Sequence, residues 1–535
     1  MIQTGHRPPI NIQADKGTNQ HRTRQFTSIV TVVPDSPNLL TFVFLGQPVV
    51  LRHDGEGISE CIIDELEKWK IKPEQCEGGS FDGQYFHLNV PSHLKEKFNL
   101  SRVFMCTWDP LHKGGVADSH IRNDSTFKWL LDIQTICRDI YTLFNRGKNY
   151  EELVKACEIL DIEHRKLTNF QTTRFANSVR FVFINLREDY PAIRMCMTKV
   201  MKAKEISSNP NDRAKASSIK NTICNINSWM FCLCLSGCAD IYEIFGEFAQ
   251  VCQEVDILPY ERYDKANAVL DKFARMLKTL EHEECLTATD VEDDEKKCLW
   301  KRYHKDKKSI EKDENYVGVK IDNIHMSTCR QTRLRSSSDQ LQIADGTSLI
   351  KERLKTLVWR LHHDLRNEVF EKDTVTMIEN IRTICDLKTM LVNIQKKGVV
   401  FYGLENSKLF VTAVRSVTET IDHIDDEELM KSYRIFVKKL DNHFSKTPIK
   451  NIDSKDMIKA FLKKELKLYE DVAVIVNCIT VAVVKISVES VVESLVSRYS
   501  NHISPMRQAT SEINSFKGND YKRKWASSTA CRLDH

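Results

Sequence analysis

Apolar positions along the first part of the chain alternate with polar ones or gather in short β-branched runs. Pro9 to Ala14 alternates and stops at Asp15, while Ser28 to Val33 and Leu40 to Leu51 are β-branched runs separated by Pro34-Asp35-Ser36-Pro37. This predicts three strands, two of them a hairpin, because alternation places side chains on opposite faces and proline-rich clusters break it. Ile62, Ile63, Leu66 and Trp69 then recur at helical spacing. Cys76 to Phe81 predicts a fourth strand, Ser92 to Phe98 a helix and Val103 to Thr107 a fifth strand. The order is strand, strand, strand, helix, strand, helix, strand.

From about Asp118 to Leu468 the period changes. Phe127 to Phe144, Tyr150 to Leu160, Asn177 to Leu186, Ile219 to Phe248, Tyr263 to Leu280, Leu349 to Phe370, Thr374 to Asn393 and Leu429 to Phe444 fit amphipathic or buried helices. Between them, 281–347 is charged, poor in large apolar residues and carries serines at Ser336 to Ser338, the composition of a flexible linker. Val472 to Val484 is the longest apolar run; it is shorter than the roughly 20 residues a membrane span needs and reads as a buried segment. The expected fold class is α/β plus α, a mixed sheet core interrupted by a large all-helical insertion. Its parts are a core segment over 1–118, the insertion over 119–470, a returning core segment over 471–500 and a polar tail over 501–535.

Composition narrows the function classes only slightly. The 535 residues are 41% hydrophobic and 28% charged, the values of a soluble globular protein. The 78 basic and 74 acidic side chains leave a net charge of +4, too near balance to prove or exclude DNA as a partner. Seventeen cysteines behind a polar amino terminus suit reduced thiols in nucleus or cytoplasm, with neither signal peptide nor membrane segment expected. Phosphate-loop, nucleophile-elbow and His-Glu-x-x-His patterns do not occur, which removes the commonest ATPase, hydrolase and metalloprotease signals.

Two aspartates stand directly after predicted strands, in Ala14-Asp15-Lys16-Gly17 and Phe81-Asp82-Gly83. Carboxylates at strand ends can converge on one edge of a sheet, where Mg²⁺ or Mn²⁺ would activate one oxygen and stabilise another during phosphodiester cleavage. Ordinary turns use the same residues. Arg22 and Arg24, in His21-Arg22-Thr23-Arg24-Gln25 between the first two strands, are positioned to meet phosphate or to decorate a solvated hairpin. Cys224, Cys232, Cys234 and Cys238 lie among large apolar residues without Cys-x-x-Cys pairing and read as buried thiols.

This order, with Asp15 after the first strand, Asp82 after the fourth, and then Cys106-Thr107-Trp108-Asp109-Pro110-Leu111-His112 and Asp118, resembles the ribonuclease-H-like core of hAT transposases. That family carries a Cys-x-x-His after its second aspartate; here Asp109 takes the histidine's place. Thr173-Arg174-Phe175-Ala176-Asn177-Ser178 resembles the Thr-Arg-Trp-x-Ser-like element early in the family's helical insertion. Glu493 to Ser497 keeps the Glu-x-x-x-Ser frame of its last motif, with Ser494 where the family has arginine, and Glu489 offers an alternative third carboxylate four residues earlier.

The resemblance implies a metal-dependent DNA transposase or nuclease ancestry. Asp15, Asp82 and Glu493 (alternatively Glu489) would hold Mg²⁺ or Mn²⁺, and Arg22, Arg24 and Arg174 would contact nucleic acid. It also implies a nuclear protein capable of self-association. The chain begins just before the first strand, so the family's amino-terminal zinc finger is expected to be missing. The departures point to a domesticated or decayed member; the alternative is a non-catalytic DNA- or protein-binding protein that keeps the fold.

Overall fold

The computed structural model describes residues 8–18, 22–33, 36–100, 104–169, 175–281, 298–321, 346–419, 421–444, 447–448, 453–464, 472–488 and 496. They divide into two compact units: Met1–His112 with Cys252–Lys265 and Phe370–His535, and Lys113–Val251 with Ala266–Val369.

The first unit is built on a five-stranded mixed sheet of ribonuclease-H-like order β3-β2-β1-β4-β5. Its strands are β1 (Ile10–Thr18), β2 (Thr23–Val32), β3 (Leu40–Gly46), β4 (Cys76–Phe81) and β5 (Met105–Trp108). β1, β2 and β3 run antiparallel in sequence, whereas β4 joins β1, and β5 joins β4, in parallel. Parallel neighbours need a crossover. α1 (Gly55–Lys68) supplies one, and α2 (Gly83–His87) with α3 (Val90–Lys97) the next.

Ile10, Ile12 and Ala14 of β1 pack with Phe81, Ile58, Ile62, Leu66 and Leu94 in one core cluster, which covers one face of the sheet. The alternate residues Asn11 and Gln13 are polar and fully buried. Their partners come from the far end of the chain, where the apolar run forms a helix, Ala473–Lys485. Asn11 Nδ2 donates to the Lys485 carbonyl at 3.1 Å, Gln13 Nε2 donates to Ser487 Oγ at 3.0 Å and to the Val488 carbonyl, and Ser80 Oγ donates to the Ser487 carbonyl at 2.9 Å. Buried amides and hydroxyls must be paired, so these bonds fix where the segment docks. β-branched residues disfavour helix only weakly, and burial of almost every side chain in this one outweighs the propensity.

Among its described residues, the regular structure of the second unit is helical apart from a short ribbon, Asn315–Tyr316 with Val319–Lys320. It contains α4 (Pro110–Asn123) from its fourth residue onward, α5 (Lys128–Phe144), α6 (Gly147–Ile159), α7 (Phe175–Glu188), α8 (Tyr190–Glu205), α9 (Pro210–Ile226), α10 (Trp229–Cys252) to its penultimate residue, most of α11 (Pro259–Thr279), α12 (Lys301–Asp313) and α13 (Gly346–Asp364). α10 is long and apolar enough to cross a membrane, but 83% of its most apolar window is buried inside the protein. Its Cys232, Cys234 and Cys238 are buried. Burial lifts the Cys234 thiol to about 12, which leaves it inert at neutral pH.

Two expectations need correction here. The helical stretch from Ile219 to Phe248 is two helices, broken at Asn227 and Ser228, where Asn227 N–H closes the last turn of α9 on the Ile223 carbonyl. The expected linker over 281–347 contains α12 and the ribbon, with Trp300 and Tyr303 buried. Asp306 of α12 is paired inside: Arg187 Nε and Nη2 donate to its Oδ2 and Oδ1, both at 2.8 Å, and Ser236 Oγ reaches Oδ2 at 2.6 Å. The charged run 292–297 and Ser336 to Ser338 lie outside the described residues.

Candidate functional site

Register places the two sequence-predicted aspartates side by side. Ala14 of β1 pairs with Phe81 of β4, so Asp15 and Asp82 each follow a matched position on neighbouring parallel strands. Phe81 in turn pairs with Trp108, which brings Asp109 to the same edge as a third carboxylate in the row. β1 runs on past Asp15 to Thr18, with Asp15 opposite Phe26, so Asp15 lies within the strand rather than after it.

Each carboxylate also has local work. Asp82 caps α2, its Oδ1 accepting from Gln84 N at 2.9 Å and Tyr85 N at 3.3 Å. Because both bonds fall on Oδ1, Oδ2 stays available to a cation. Asp109 is 3% exposed and caps α4 through Leu111 N at 2.8 Å and His112 N at 3.3 Å. Asp15 Oδ1 accepts from Lys16 N at 2.6 Å. Gly83 is set by its surroundings, since a methyl there would meet Trp108 Cζ2 at 2.2 Å.

A hydrogen-bonded bridge ties Asp82 to the strand that carries Asp15. Tyr85, held to Asp82 by its own N–H, donates its hydroxyl to Gln25 Oε1 at 2.9 Å, and Gln25 Nε2 donates to the Asp15 carbonyl at 3.2 Å. Lys16 Nζ sits 5.5 Å from the Tyr85 ring centroid. Tyr85 and Gln25 escaped the sequence reading; a tyrosine three residues after an aspartate is too common to single out. Tyr85→Phe is expected to lower stability by about 1–2 kcal/mol, because it strips a buried acceptor of its donor; a urea-midpoint measurement checks this.

Of the basic residues, Arg22 precedes β2 and is exposed, and Arg24 pairs with Gly17 two positions beyond Asp15 while its Nη1 donates to the Gln47 carbonyl at 3.1 Å. The arginines of the hairpin therefore share the end of the sheet where Asp15 stands. Arg174, Glu489 and Glu493 lie outside the described residues. Asp118 is buried in the second unit, where Tyr242 Oη donates to it at 2.8 Å and Arg122 pairs with it at 3.0 Å. Burial raises its carboxyl pKa. Among the described residues, Asp15, Asp82 and Asp109 do not form a three-ligand cluster tight enough to enclose a metal by themselves. No family model matches the chain, and no curated protein does.

Proposed function

We propose that this protein is a hAT-transposase-like member of the ribonuclease-H-fold proteins, descended from metal-dependent DNA-cleaving enzymes, and that Asp15, Asp82 and a glutamate after Val488 hold Mg²⁺ or Mn²⁺. The observation that carries the reading is the register that sets Asp15, inside β1, and Asp82, just after β4, one position beyond the matched pair Ala14 and Phe81 on neighbouring parallel strands. A second observation supports the third ligand. Asn11, Gln13, Asp15 and Gly17 share one face of β1, since side chains alternate along a strand. Gln13 reaches Ser487 and Val488, and a methyl on Gly17 would come within 3.1 Å of Val496 Cγ1. Asp15 stands between these two anchors, and the chain joining them contains Glu489 and Glu493. Glu493 is the favoured ligand.

When bound, the metal would polarise a phosphate oxygen and lower the pKa of an attacking water. The chain's part is to hold the carboxylates rigidly, through the Asp82 cap and the Tyr85–Gln25 bridge. Arg22, Arg24 and Arg174 would meet the phosphate backbone, and DNA as partner carries with it a nuclear location. The second reading, a DNA- or protein-binding protein without catalysis, is favoured by Asp109, which occupies the family's histidine position as a buried helix cap. Calorimetric titration of the full chain with Mn²⁺ separates the two. Binding in wild type that is lost in both Asp15→Ala and Asp82→Ala supports the shared metal site; no binding in wild type leaves the fold as an interaction module.

A further inference from the structure

The helical unit holds a second group of metal-ligating side chains, drawn from three places. Cys157 lies in the last turn of α6, His164 in the coil that follows it, and Asp189 at the junction of α7 and α8. One oxygen of Asp189, His164 Nδ1 and Cys157 Sγ all lie within 4.8 Å of one another. His164 Nδ1 is 3.0 Å from Asp189 Oδ2 and 3.8 Å from Cys157 Sγ. The Asp189 side chain is fully buried and that of His164 is 16% exposed.

A nucleophilic triad is excluded by this geometry. Such a triad uses both ring nitrogens of its histidine, one toward the thiol and one toward the carboxylate. Here a single nitrogen faces both partners, and His164 Nε2 is buried without any hydrogen-bond partner. One proton on Nδ1 can serve the carboxylate or the thiol but not both. A cation serves all three.

Zinc bonds of about 2.3 Å to sulfur and about 2.0–2.1 Å to nitrogen or oxygen set tetrahedral ligand atoms roughly 3.3–3.6 Å apart. The two separations from His164 Nδ1, 3.0 and 3.8 Å, bracket that range. A thiolate, a neutral imidazole and a carboxylate suit zinc in preference to the harder Mg²⁺ or Ca²⁺. The carboxylate already has outer support, because the Arg165 N–H donates to both its oxygens at 3.3 Å; metal ligands are commonly oriented in this way.

We propose that Cys157, His164 and Asp189 form a zinc site, with water at the fourth position, that staples the end of α6 and its following coil to the α7–α8 junction. Binding releases the thiol proton to solvent and involves no redox change. This site is independent of the sheet-edge carboxylates and uses none of their residues.

The test is elemental analysis and Co²⁺ substitution on the purified full chain. One zinc per chain is expected, together with a thiolate-to-cobalt charge-transfer band that survives Cys137→Ser, a control at another buried thiol, and disappears in Cys157→Ser. Zinc should also raise the thermal midpoint of the wild-type chain, a measurement that needs no variant. Wild-type protein without zinc or cobalt band, a band that persists in Cys157→Ser, or a wild-type thermal midpoint unmoved by zinc would each overturn the proposal.

Discussion

If the proposed sheet-edge metal site cuts DNA, Asp82→Asn is expected to reduce Mn²⁺-dependent nicking of plasmid DNA by about 10³-fold or more, since a metal that stabilises developing charge contributes several kcal/mol and each 1.36 kcal/mol is tenfold in rate. Asparagine is the informative replacement. Alanine would also remove the acceptor that caps α2 through Gln84 and Tyr85 N–H, at a cost of about 1 kcal/mol. Relief of repulsion between neighbouring carboxylates acts in the opposite direction, so thermal stability in Asp82→Ala confounds two effects. Asparagine keeps the cap and deletes only the charge. Nicking by Asp82→Asn at the wild-type rate would remove Asp82 from the chemistry.

Gly78→Val is expected to destabilise the first unit by about 3 kcal/mol, at the upper end for overpacking, because the space around Gly78 is closed by groups that cannot swing away. A Cβ at this position would lie 2.5 Å from the Lys485 carbonyl oxygen and 2.9 Å from both the Met105 carbonyl oxygen and Asn11 Nδ2. Two of the three are backbone atoms. Relieving the clash means lifting the end of the Ala473–Lys485 helix off β4, which also breaks the Asn11 bond. The denaturant midpoint should fall, with hydrogen exchange accelerating in β1, β4 and that helix together. A valine variant as stable as wild type would show that the docking seen here is dispensable.

Much of the sheet was legible because alternation and β-branching speak directly about strands. Cys76 to Phe81 is β4 to the residue and the fifth strand falls close to its expected bounds, whereas the third starts at Leu40 as expected but ends at Gly46, well short of Leu51. Asp15 and Asp82 stood out for the same reason, as the polar residues that end apolar runs. Asp109 was visible only as a departure from a pattern; nothing local says that Trp108 pairs with Phe81 and so draws Asp109 into the row. Pairing is a property of two segments, and one sequence carries no record of it. The same holds for Arg187 and Asp306, whose separation in the chain hid the fact that each neutralises the other in the interior. Asp306 therefore read as one more solvated charge. Cys157, His164 and Asp189 were silent because their spacing follows no finger or hairpin and their meeting depends on how three helical segments fold together.

Asn11 and Gln13 sit on β1, yet Asn11 bonds to a carbonyl 474 residues downstream. Until the segment around Lys485 has been synthesised, Asn11 and Gln13 lack the groups that answer their amides in the folded sheet. Loop closure over such a span is slow, and an incomplete face invites association with other chains. The intervening helical unit can fold in the meantime from its own contiguous contacts. Translation thus makes β1 long before the segment that completes its polar face, and the interval between the two is time in which that face is open to other chains.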